Sequence, residues 1–263
     1  MGAVVNRFFP FIQEEDSRIR PSGRANTNRI RGVSMKNYRI HFIRHGMTEA
    51  NLRREYVGRT DYDLCPEGIR QLIQKREEYA YPPADRIFCS PLARCIQTAG
   101  ILYPDCRKLT VNSHFLELDF GDFEGKTYDQ LKDREDYRQW LANSLTTAPP
   151  GGESGEEFMS RLVVGLNEVF AQMMEEKLDD AVVITHGGVI MTLLHGVGLP
   201  KTEFGTWQAG NGEGYTVAMN TAMWMRDRAF EIVAPIPQPK GSSQEEDEDW
   251  EEDAWEEDWD EDE

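Results

Sequence analysis

The sequence predicts an α/β fold, a three-layer α/β/α sandwich around a mostly parallel central sheet. Three features carry the prediction. Short apolar runs of strand length alternate with stretches of helical period. The helical stretches open on recognisable start signals. Several strands stop at polar, glycine-bearing turns, the edge at which open α/β sheets bind ligands. With 263 residues, the chain can bury a core without disulfides or a structural metal.

The first 34 residues stand apart. Arg7, Arg18, Arg20, Arg24, Arg29 and Arg31 lie against three acids, among Pro, Ser, Asn and Gly. No hydrophobic period continues after Phe8, Phe9, Phe11 and Ile12, so segment 1–34 is expected to be disordered. Met35 precedes the first convincing strand and is a candidate native start.

The body, 35–240, opens with a strand over 38–43 that ends in Arg44-His45-Gly46. A helix is predicted over 66–81, with Ile69, Leu72, Ile73 and Tyr79 at helical spacing. Residues 86–89 read as a second buried strand. Ser90 and Pro91 then supply an N-cap and a first-turn proline for a helix running to about Leu102. A strand over 109–115 follows. Ser154-Gly155-Glu156-Glu157 has capping-box spacing, and Phe158, Leu162, Leu166, Val169, Phe170 and Met173 continue on one face. Residues 181–185 are β-rich and stop at His186-Gly187-Gly188, and strands over 215–219 and 230–233 close the sheet. The run 181–200 lacks Asp, Glu, Lys and Arg and matches a bilayer in length. Its two histidines, four glycines and Pro200 mark it instead as a buried strand followed by a helix.

The net charge of −18 is concentrated at one end. Residues 244–263 hold 15 Asp or Glu, no Lys or Arg, and Trp250, Trp255 and Trp259. Such a block repels itself, so the tail 241–263 is expected to be disordered. Its tryptophans suit docking, on a basic partner or, as a phosphate mimic, on the protein's own arginine-lined pocket. Without the block the balance is −3, from 32 acids and 29 bases. No basic face is left for nucleic acid, and no membrane contact is expected. Cys65, Cys89, Cys95 and Cys106 form no C-x-x-C pair, which argues against zinc or redox motifs. They read as reduced thiols of a cytoplasmic protein.

Arg44-His45-Gly46, Ser90-Pro91-Leu92-Ala93-Arg94 and Thr185-His186-Gly187-Gly188 each follow a predicted strand. If those strands are parallel, two histidines and two arginines converge. That set suits a phosphoryl group. Arginine presents a charged planar fork to phosphate oxygens, and glycines and a helix N-terminus admit an anion closely. A neutral imidazole can attack phosphorus, and a second, protonated one can bond an equatorial oxygen. The leaving alkoxide needs a proton, and 116–125 offers Glu117, Asp119, Asp122 and Glu124. Spacing alone does not choose among them. His41, His114 and His195 read as structural.

Arg44-His45-Gly46 with Thr48 and Asn51 resembles the signature of the histidine phosphatase (phosphoglycerate-mutase-like) superfamily. Ser90-Pro91-Leu92-x-Arg94 with Thr98-Ala99, the acid loop from Leu116 to Gly125, Pro150-Gly151-Gly152-Glu153-Ser154 and His186-Gly187-Gly188 follow in the family's order. The likeness covers roughly residues 38–235. It implies that His45 is the nucleophile and Glu117 the proton donor and later base. It implies that Arg44, Arg94 and His186 hold the phosphate, with Gly187 and Asn51 as further contacts. Asn51 has a plainer reading as a local cap. No metal or organic cofactor is implied.

The compact α-ribazole phosphatase-like and broad-specificity phosphatases resemble this chain more than the mutases do. Only 24 residues separate Gly125 from Pro150, and Val57 stands where mutases carry a carboxylate-binding Thr. The expected function is therefore hydrolysis of a small phosphorylated metabolite through a phosphohistidine. A phosphoglycerate mutase and a non-catalytic phospholigand-binding domain are the alternatives. Leaving-group recognition is expected from loops 56–63, 126–150 and 207–214.

Overall fold

The computed structural model describes residues 36–241. The expectations for segment 1–34, for Met35 and, Gly241 apart, for the acidic tail lie outside the described residues. In chain order the elements are β1 (Asn37–Arg44), α1 (Glu49–Leu52), α2 (Pro66–Glu78), β2 (Tyr79–Ala80), β3 (Ile87–Cys89), α3 (Ala93–Leu102), β4 (Leu109–Val111), α4 (Tyr128–Leu131), α5 (Glu135–Ala142) and α6 (Gly155–Glu176). They continue with β5 (Asp180–Thr185), α7 (Gly187–Val197), β6 (Gly198–Leu199), β7 (Gly214–Asn220), α8 (Thr221–Asp227), β8 (Phe230–Ile236) and β9 (Gln238–Pro239).

The main sheet has seven strands in the order β4-β3-β5-β1-β7-β8-β6. Every neighbouring pair is parallel except those made by β7, which runs antiparallel to both β1 and β8. β5 lies inside the sheet, between β3 and β1, and reads as a continuous apolar run because both its faces are covered. Its alternating side chains point to opposite layers. Ala181 and Val183 join Ile40, Phe42 and the apolar face of α6, from Phe158 to Met173, with Val189, Ile190, Leu193 and Leu194 of α7. Val182 and Ile184 join Ile43, Leu72 of α2, and Cys95, Ala99 and Leu102 of α3. A smaller aromatic cluster of Phe123, Leu131, Tyr137 and Trp140 packs with Tyr56, Leu118 and Phe120.

Register is what matters for function. Ile43 pairs with Ile184, and Ile184 with Cys89. The carboxyl ends of β1, β5 and β3 are therefore level, and the residues that follow them emerge side by side.

The helix over 155–176 starts as its sequence predicts. The Ser154 side chain accepts from Glu157 N–H, and the Glu157 carboxylate accepts from Ser154 N–H. The run 181–200 is β5 followed by α7, and among the described residues no helix is long and apolar enough to cross a membrane. Three local expectations are corrected. The helix expected over 66–81 ends at Glu78, and Tyr79 and Ala80 form β2, paired with β9. α3 begins at Ala93, with Leu92 rather than Ser90 at the cap position. Ser90 is fully buried and bonded elsewhere, and Asp61 Oδ1 accepts from Ala93 N–H at 2.8 Å in its place. The strand expected over 109–115 stops at Val111. Asn112 Oδ1 accepts from His114 N–H at 2.9 Å and turns the chain into a 3-10 helix, Ser113–Phe115.

Candidate active site

His45 is held from both sides of its backbone. Its N–H donates to Thr185 O at 2.9 Å, and its carbonyl accepts from Asn211 Nδ2 at 2.9 Å. The imidazole Nδ1 lies 2.6 Å from Gly46 O. A carbonyl can only accept, so Nδ1 carries the hydrogen and Nε2 keeps its lone pair. Burial, with Arg94 and Arg44 nearby, holds this imidazole well below the usual histidine range. The His45 imidazole is thus neutral and oriented, with Nε2 unprotonated.

His186 stands beside it, with ring centroids 5.2 Å apart. Arg94 Nε–H donates to His186 Nδ1 at 3.4 Å, so Nε2 carries the hydrogen and donates to Ser90 Oγ at 2.8 Å. Burial, His45, Arg94 and Arg44 all push this imidazole well down. Without a bound anion to offset these charges, His186 is therefore neutral. Two imidazoles and two guanidinium groups share one low-dielectric volume, which disfavours any further positive charge.

Arg44 donates from Nη1 to Ala209 O at 2.8 Å, while its buried Nε–H meets no protein acceptor. An unpaired buried donor is costly. This one lies beside Gly187, where an added Cβ would sit 3.2 Å from it. Gly187 opens α7, so its helix N-terminus adds a positive dipole end at the same place. Arg94 is more heavily engaged by protein, with Nη1 on Thr60 O and Nη2 on Gly58 O, both at 2.8 Å. Asn51 does what its plainer reading states. Its Oδ1 accepts from Thr48 N–H and Oγ1, at 3.0 and 3.1 Å, and closes a capping box on α1.

The four carboxylates of the acid loop separate by environment. Asp122 is exposed, and Asp119 Oδ1 accepts from Gly121 N–H. Glu124 brackets the 58–60 loop, with Oε1 accepting from Gly58 and Arg59 N–H and Oε2 from Thr60 Oγ1. Glu117 alone is buried. Its Oε2 accepts from Gly188 N–H at 2.8 Å and its Oε1 from Leu118 N–H at 2.9 Å. Burial raises its pKa above the usual carboxylate value, against those two bonds and the pull of Arg94 and Arg44. Gly188 is required here, because a Cβ at that position would collide with the Glu117 carboxylate.

Several supporting residues escape a sequence reading. Arg161 of α6 donates to His114 O, Leu116 O and Glu117 O at 2.7 to 2.8 Å and grips the Glu153 carboxylate. The available signal is a cation three residues after Phe158, beside the buried stripe of α6. Thr98 Oγ1 accepts from Gly46 N–H at 2.9 Å, and Thr185 Oγ1 donates to Phe115 O at 2.8 Å. Segment 207–214 braces Arg44 through Ala209 O and through Gly212, whose N–H donates to Arg44 O at 3.0 Å, and His45 through Asn211. The other histidines pair structurally. His41 lies 3.0 Å from both Thr216 Oγ1 and Asp180 Oδ1, and His114 lies 3.6 Å from Glu168. All four cysteines are free thiols. Among the described residues no group of three or more His, Cys, Asp or Glu is arranged to hold a metal.

A buried imidazole pair, two arginines and one buried carboxyl at the carboxyl edge of a parallel sheet define a phosphoryl-transfer site. The chain belongs to the histidine phosphatase superfamily (branch 1), whose family model matches residues 40–231. It is 32% identical over 167 residues to "Putative phosphoserine phosphatase 2" of Hydrogenobacter thermophilus, covering 61% of this chain and 80% of that one. It is 29% identical over 164 residues to the adenosylcobalamin/alpha-ribazole phosphatase of Salmonella typhimurium, covering 59% and 77%. The crystal structure of a phosphoglycerate mutase from Bacillus anthracis shares the fold, with a TM-score of 0.64 at 20% identity over 76% of this chain and 93% of that one.

Proposed function

We propose that this chain hydrolyses phosphomonoesters of small molecules through a phosphohistidine on His45, without an organic cofactor. The lone pair of His45 Nε2 forms the N–P bond as the ester P–O bond breaks. The proton of the Glu117 carboxyl goes to the leaving oxygen. Water then attacks phosphorus, its proton passes to the Glu117 carboxylate, and the N–P bond breaks to release phosphate. Arg44, with the α7 N-terminus, binds the phosphoryl oxygens. Arg94, which is always charged, lines the same volume, and His186 takes up a proton as the dianion arrives.

The observation that carries this reading is the tautomer of His45. Gly46 O takes the Nδ1 hydrogen, leaving Nε2 unprotonated beside an Arg44 donor that has no protein partner. Glu117, raised by burial, favours turnover on the acid side of neutrality. Rapid-quench labelling with a 32P-phosphomonoester tests the scheme. An acid-labile, base-stable phosphoenzyme is expected in the native chain and none in His45→Ala, whose turnover falls by roughly 10,000-fold or more. Turnover in His45→Ala near the native rate would exclude the scheme.

A further inference from the structure

Behind the Glu117 carboxyl lies a cavity of about 260 Å³. Its walls are largely aromatic: Tyr56, Phe120, Trp140 and Phe158, with Met191 and Phe204. Glu117 and Gly188, whose N–H holds the Glu117 carboxylate, also line it, so the cavity adjoins the acid. Glu117 is the one charged residue in that lining. The remaining polar groups are the hydroxyls of Ser144 and Thr192, the Trp140 indole N–H and the Tyr56 hydroxyl, which lies 2.6 Å from the Tyr137 hydroxyl. Arg59, just beyond Tyr56, faces Asp119 Oδ2 at 3.9 Å and Glu153 Oε2 at 3.6 Å.

We infer that this cavity selects phosphomonoesters whose alcohol carries an uncharged apolar or aromatic body, and disfavours those with a carboxylate or amino-acid leaving group. The inference rests on the proposed phosphatase reading and names its substrate class. A carboxylate in this cavity meets no cation and sits next to the Glu117 carboxyl, so it enters with an unpaid desolvation cost. An aromatic body meets ring edges and faces throughout. Size agrees, since an apolar cavity of about 150 Å³ accepts a benzene, and this one holds one to two rings. Phosphoglycerate and phosphoserine are poor fits by the same criteria.

The test uses the full chain and four esters that all leave as alkoxides: 2-phenylethyl phosphate, ethyl phosphate, phosphoserine and 3-phosphoglycerate. The kcat/KM for the phenylethyl ester is expected to exceed each of the others by about 10- to 100-fold. Equal or higher values for phosphoserine or 3-phosphoglycerate overturn the inference. Met191→Lys places a cation in the wall, and it should narrow the ratio of phenylethyl to phosphoglycerate turnover by about 10-fold. An unchanged ratio in the folded variant counts against the cavity as the selector. Binding of 2-phenylethylphosphonate against ethylphosphonate, by calorimetry on the unaltered chain, decides the matter without turnover. Tighter binding of the phenyl compound by about 10-fold supports the assignment, and equal affinities overturn it. If no ester is hydrolysed, the phosphatase reading fails, and the phosphonate pair still reports on the cavity alone.

Discussion

The phosphate end of this site and its leaving-group end are built on opposite principles. At the phosphate end, Arg44, His45 and His186 come directly off the ends of β1 and β5, which lie in register at the centre of the sheet. Their side chains are tied to the backbone carbonyls of Ala209 and Gly46, to Ser90 and to Arg94. At the leaving-group end, the wall is assembled from the 56 region, the acid loop, α5, α6, α7 and the segment holding Phe204, and it is held together by ring contacts. Rigid strands thus place the charges that the reaction needs. Loops and helices drawn from several separate segments shape the pocket behind the acid.

Glu117 sits on the boundary between these regions, and its removal gives the sharpest test of that division. Glu117→Gln should lower kcat/KM on 2-phenylethyl phosphate by between roughly 100- and 10,000-fold. The kcat/KM on 4-nitrophenyl phosphate should fall far less, because forming the phosphoenzyme from that ester needs no proton on the leaving group. The pH dependence follows from the same group. The protonated carboxyl is the active form in the first step, so kcat/KM on the alkyl ester falls as pH rises through the raised Glu117 pKa. His45, held well below its usual range, stays neutral to the acid side of 6.5 and sets no limb near neutrality. Glu117→Gln should abolish the alkaline fall. If both esters lose equally, or the alkaline limb persists, Glu117 is not the acid.

Arg161 lies one step further out, as a positioning residue that acts through Glu117. Arg161→Lys removes the fork that grips three carbonyls along 114–117. A fall of about 10- to 100-fold is expected on the alkyl ester, with a much smaller fall on the nitrophenyl ester. A merely structural role would lower the melting temperature without that split between substrates. The smallest effect belongs to Ser154→Ala, remote from both ends of the site. Losing the capping box at α6 should cost about 1 kcal/mol in chemical denaturation and leave the ratio between the two esters unchanged.

Strand-level organisation was legible in the chain because burial on both faces writes an unmistakable pattern. The segment 181–185 is almost continuously apolar and 38–43 mostly so, and each is followed by a motif with a histidine and a glycine. The capping box at Ser154 was equally plain, since its partners are local. The reading of Ser90 as a cap was wrong for a physical reason. A hydroxyl will cap a helix or serve a buried imidazole, whichever partner the tertiary structure brings, and His186 lies 96 residues away in the chain.

What the sequence by itself determined was the sheet, the two histidines at its edge and the two arginines near them, because these follow from local period and composition. Only the tertiary structure decided which of four acid-loop carboxylates is buried, which nitrogen of each imidazole is free, and that an aromatic cavity lies behind the acid. Those properties depend on desolvation and on hydrogen-bond partners drawn from distant segments. They come into existence only when the chain has closed around them.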